Sequence, residues 1–151
     1  MPHLLLFAPC QKAILDRQDV SLSMIGIVYG LTATHEADKP IPQDAALTIQ
    51  YAVVSVWLRL DGEDDKMFEQ RLEIVKPDGT RLKEHVDTTF KMTHRTHQCV
   101  LYAQGFPGEE GEHKLILSIR ETGIGDWREV SEYPILVTHS RKEAEREQAN
   151  P

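Results

Sequence analysis

Ala46-Leu47-Thr48-Ile49-Gln50-Tyr51-Ala52-Val53-Val54-Ser55-Val56-Trp57-Leu58-Arg59-Leu60 is the stretch whose reading decides the fold. In an extended chain Ile49, Tyr51, Val53, Ser55 and Trp57 fall on one side and Ala52, Val54, Val56 and Leu58 on the other. The segment is rich in β-branched and aromatic residues, which suit a pleated, buried surface. Apolar residues on both sides predict a central strand.

The same period of two runs outward in both directions. Lys66 to Lys76 puts Phe68, Leu72 and Ile74 on one side and Glu69, Arg71 and Glu73 on the other, the pattern of a sheet with one wet face. Pro77-Asp78-Gly79 then supplies a fixed φ, a local side-chain cap and a residue tolerant of positive φ, which together predict a turn. A return strand is expected from Arg81 to Met92, and another from His97 to Ala103, ending at Gly105-Phe106-Pro107-Gly108. Glu112 to Glu121 and Trp127 to Thr138 read as the last two strands, joined by the hairpin loop Thr122 to Asp126. At the front, Leu4 to Leu15 and Val20 to Thr34 read as a hairpin turning at Asp16 to Asp19, with Gly26 and Gly30 as candidate bulges. Glu36 to Asp44, with its two prolines, is the longest connection and is expected to cross between sheets.

These segments predict an all-β chain: an antiparallel two-sheet β-sandwich, immunoglobulin-like or C2-like, of about eight strands. Uneven strand lengths, and Pro9, Pro40, Pro42, Pro107 and Pro134 at edges or corners, favour it over a closed barrel. The sandwich is expected over residues 1–138, followed by a charged tail over 139–151. Ser140 stands three residues before Glu143, a capping-box spacing, and Arg141 could pair with Glu145, so a short helix or a frayed end is expected there.

A length of 151 residues is enough for one core and too short for two. Seventeen basic against twenty-four acidic side chains leave a net charge of -7, which disfavours nucleic acid and suits a basic partner. Two cysteines, Cys10 and Cys99, are too few for a disulfide framework and predict free thiols in a reducing compartment, with a single bridge the open alternative. The apolar run Leu4 to Ala8 is short for a signal-peptide core, and no stretch approaches a membrane span, so a cytoplasmic location is expected.

His94, His97 and Cys99 raise the question of a transition-metal site, yet on an extended chain His94 faces away from the other two. A turn near His94-Arg95 would leave two converging side chains and call for a remote ligand. The acidic loop Asp61, Glu63, Asp64 and Asp65 raises the question of calcium, with Glu109, Glu110, Glu112 and Asp126 expected at the same end of the molecule. Its carboxylates lack a regular ligand spacing and read first as a solvated turn. No catalytic residue is assigned and no cofactor is expected, since no nucleophile lies beside an oriented base and no glycine-rich phosphate loop is present. Trp57, Trp127, Tyr51, Tyr102 and Tyr133 read as packing residues rather than a stacking platform.

The opening Leu4-Leu5-Leu6-Phe7 strand with Cys10, the Asp16 turn into Val20-Ser21-Leu22 and the Trp57-Leu58-Arg59 strand end form part of a layout. Leu72 to Gly79, and Gln104-Gly105 ahead of Gly111-Glu112, complete it. This layout resembles an uncharacterised family of small bacterial immunoglobulin-like β-sandwich proteins, a domain of unknown function. The resemblance implies the fold and carries no activity or site residues. The expected role is a non-enzymatic cytoplasmic interaction or accessory domain that binds another protein. The alternatives are a calcium- or transition-metal-dependent binding module and, third, a hydrolase using Cys99.

Overall fold

The computed structural model describes residues 1–16, 18, 21–40, 42 and 45–142. It is all-β, with two sheets built from nine strands: β1 (His3–Asp16), β2 (Ser21–Ile27), β3 (Gly30–His35), β4 (Ala46–Leu58), β5 (Met67–Val75), β6 (Val86–Lys91), β7 (Thr96–Pro107), β8 (Gly111–Glu121) and β9 (Ile124–Arg141). Sheet A has the order β2-β1-β4-β7 and sheet B the order β3-β9-β8-β5-β6. Ala46–Leu58, β4, lies in the middle of sheet A. Its Tyr51, Ala52, Val53, Val54, Ser55 and Trp57 are all buried.

Two apolar clusters join the sheets. One combines Tyr51, Val53 and Phe106 of sheet A with Leu72, Leu115, Ile135 and Val137 of sheet B. The other combines Trp57 and Cys99 with Phe68, Phe90, Met92, Leu117 and Ile119. A third lies within sheet A, where Ala13, Leu22 and Met24 of the β1–β2 hairpin pack with Cys10, Ala52, Val54, Val56 and Val100. This third cluster explains why β4 is apolar on both faces: one face meets sheet B, the other meets the hairpin. Inside the second cluster, Gln70 Oε1 accepts hydrogen bonds from Ser55 Oγ at 2.7 Å and Trp57 Nε1 at 2.9 Å. A polar residue on the buried face of β5 thus satisfies two others.

Four expectations need correction. The described residues form nine strands, not eight, because the Val20 to Thr34 segment divides into β2 in sheet A and β3 in sheet B. The fold is not wholly antiparallel: β3 runs parallel to β9, from Gly30 opposite Leu136 to His35 opposite Arg141. A strand that leaves its hairpin for the other sheet can join whichever edge it reaches, in either direction. The return strand after the Pro77-Asp78-Gly79 turn is short, since β6 begins only at Val86 and Arg81 makes a single bridge to Val75. Finally, β9 continues to Arg141, so Ser140 lies within a strand. The helix expected from the Ser140 and Glu143 spacing falls on residues outside the described set. The connection from β3 to β4 does cross between the sheets.

The wet face of sheet B is a lattice of cross-strand ion pairs. Arg71 binds Asp87 through two bonds of 2.8 Å, Arg120 pairs with Glu69, and Arg81 with Glu73 and Glu129. Lys114 pairs with Glu132 at 3.0 Å. The guanidinium groups of Arg71 and Arg120 both lie over the Trp127 ring, each 4.4 Å from its centre, a cation–π arrangement outside the core.

Candidate functional site

Strand β1 changes neighbour midway. It pairs with β4 from His3 to Cys10 and with β2 from Cys10 to Asp16. Among the described residues, its side away from β4 therefore has no partner strand ahead of Pro9. Strand β9 does the same in mirror fashion: β8 takes one side, while β3 takes the other only from Leu136 onward. Each open edge ends at a proline, and the reason is geometric. Pro9 O accepts the Val28 N–H at 3.0 Å, and Leu136 N–H donates to Tyr29 O at 3.1 Å. By the alternation of a strand, the nitrogens of Pro9 and Pro134 point to the unpaired side, where a missing donor costs nothing.

Between these edges lies a cleft of about 650 Å³. Its walls include Leu4, Leu5, Leu6 and Phe7 of β1, with Arg128, Glu129, Val130 and Ser131 of β9. The register of β1 against β4 shifts between Leu4 and Leu6, a bulge that turns Leu5 outward to 51% exposure. By the same alternation, Phe7 offers its N–H and C=O to the open side. The cleft thus combines exposed aliphatic side chains with backbone hydrogen-bonding groups on both walls.

The residues singled out in the sequence sit elsewhere and do not assemble. His94 lies in the turn before β7, while His97 stacks on Phe90 with ring centres 4.7 Å apart. Burial, and secondarily the charge of His94, hold the His97 pKa down. Cys99 is buried in the second cluster, and burial pushes its thiol up to about 11, the Ser55 hydroxyl acting in the opposite sense. Cys10 belongs to the third cluster, and both thiols are free. In the acidic loop Glu63 is buried, accepting the Leu60 N–H at 2.9 Å and pairing with the Met1 ammonium. Asp64 pairs with Arg59 at 2.7 Å and Asp65 with Lys91 at 3.1 Å. Glu109, Glu110 and Glu112 lie at the opposite end of sheet B from this loop, because Phe68 is opposite Glu121 while Val75 is opposite Lys114. Only Asp126 shares the loop's end. Among the described residues, no group of three His, Cys, Asp or Glu side chains could hold a metal ion.

Two arrangements were not read from the sequence. His35 Nε2 lies 2.8 Å from His139 Nδ1, and His139 Nε2 lies 2.5 Å from Gly108 O. A carbonyl only accepts, so His139 donates from Nε2 to Gly108 O, and the two stacked rings join β3, β9 and the β7–β8 connection. Tyr102 is not a packing residue: it is 75% exposed, and its hydroxyl donates to Ala13 O at 3.2 Å. No helix among the described residues is long and apolar enough to cross a membrane. No protein-family model matches the chain, and no curated protein matches it.

Proposed function

We propose that this chain is a non-enzymatic interaction domain, an open immunoglobulin-like sandwich that receives an extended segment of a partner protein in the cleft between β1 and β9. The observation that carries this reading is the pair of open strand edges facing one cleft, lined by Leu4, Leu5, Leu6 and Phe7. Main-chain bonding to an unpaired edge supplies affinity, and side-chain hollows beside it supply selection. The lattice of ion pairs on sheet B and the paired carboxylates of the acidic loop make these charged regions poorer docking surfaces, since their charges already have partners. The two buried thiols suit a reducing compartment such as the cytoplasm. The high pKa and burial of Cys99 argue against its use as a hydrolytic nucleophile.

The test is retention of a host protein on the full chain at physiological salt, compared with Leu5→Arg. Leu5 is half-exposed, so the substitution leaves the core intact while placing a charge in the cleft. A stoichiometric partner retained by the parent chain and lost from the variant is expected. No stoichiometric partner, or one held equally by the variant, overturns the reading.

A further inference from the structure

A second concave region lies where β1 parts from β4. Beyond Cys10 and Ala52 these two strands no longer pair, and the fork holds two adjoining hollows of about 500 and 420 Å³. Gln11, Gln50 and Tyr51 wall both of them. Tyr29 and Ile49 also line the first, and Lys12, Tyr102 and Gln104 the second. Tyr29 and Tyr102 are the two most exposed large apolar side chains described, at 73% and 75%.

The chemistry of the fork is distinct from that of the rest of the surface. In a chain with a net charge of -7, the hollows carry no carboxylate and one cation, Lys12. Three carboxamides converge there, each offering a donor and an acceptor side by side. Among the described residues, the side chains of Gln11, Gln50 and Gln104 make no hydrogen bond within the protein, so all remain available to a ligand. The Tyr102 ring is anchored through its hydroxyl to Ala13 O, which fixes its orientation and leaves most of its surface exposed. Gly26 makes room for Gln11: its φ is +65°, and a Cβ there would stand 2.7 Å from the Gln11 carboxamide.

We propose that this fork binds a neutral saccharide. A pyranose presents a C–H face that packs on the electron-rich face of an aromatic ring, and a rim of vicinal hydroxyls that pair with a carboxamide's adjoining donor and acceptor. Both kinds of group are here, without the opposed charges that would select an ion. Exposed aromatic rings, amides and a hollow of this size together suit a ligand that is part apolar and densely hydroxylated. The site is separate from the β1–β9 cleft, and the proposal does not rest on the protein-binding reading.

Affinity electrophoresis of the full chain in native gels containing laminarin, hydroxyethyl cellulose, xylan or galactomannan tests it. At least one of the four is expected to retard the chain. Tyr102→Ala should weaken that retardation about tenfold, as expected for loss of one stacking platform, and Gln50→Ala should weaken it several-fold. Both side chains are exposed, and an unchanged melting temperature confirms that each variant folds. Absence of retardation by all four polysaccharides overturns the proposal, as does retardation that both folded variants preserve. A fork that instead receives a protein segment gives the first of these negative results.

Discussion

At the scale of single residues, the most consequential side chain is Gln70, whose one oxygen serves both Ser55 and Trp57 in the core. Gln70→Leu keeps roughly the same volume but leaves a buried hydroxyl and a buried indole N–H without an acceptor. Each orphaned group costs about 1–3 kcal/mol, so a loss of roughly 2–4 kcal/mol is expected, seen as a fall of about 10 °C in Tm by calorimetry. Cys99 sets a limit on the alkaline side. Its folded pKa of about 11 stands above the ordinary thiol value of 9.0, so the unfolded chain ionises first. The thiol's contribution is complete below about pH 9 and is lost as pH rises through 11, by about 2–3 kcal/mol. Urea titrations at pH 8 and pH 11 should show this loss in the parent chain, and a smaller one in Cys99→Ala.

Among elements, the junction at Gly108 joins the most pieces. A Cβ there would sit 1.9 Å from Ala45 O, a backbone atom just ahead of β4, while Gly108 O accepts from His139 of β9. Gly108→Ala forces one chain segment off another and is expected to cost about 3 kcal/mol or more. Gly79→Ala, where φ is +85° but the space is open, should cost only about 1 kcal/mol. Chemical denaturation of the two variants checks the contrast. The same scale shows what the sequence can and cannot convey. Alternation placed β4, β5, β8 and most of β9, and the Pro77-Asp78-Gly79 turn marked the end of β5, because these depend on near neighbours in the chain. Alternation fixes which face a residue takes but not which strand lies beside it. The switch of β1 from β4 to β2, the parallel union of β3 with β9 and the open edges of the cleft were therefore illegible. The exposed Tyr102 was misread for the same reason, since only the fork beside it leaves its ring uncovered. Pro9 and Pro134 were the one local sign of the cleft, read as edges without revealing that the two edges face each other.

For the whole molecule, the sheets are held by two shared apolar clusters, and the charge lattice of sheet B lies outside them. The exposed pairs of that lattice add little individually to stability and more to solubility. The parallel pairing of β3 with β9 has a further consequence for how the chain comes into being. Its partners are separated by more than a hundred positions, with Thr32 and Thr34 hydroxyls meeting those of Thr138 and Ser140. On a ribosome β3 emerges about a hundred residues ahead of its mate. Until β9 follows, β3 lacks the strand it pairs with, and the nascent chain must carry an orphan ribbon while the intervening strands are made.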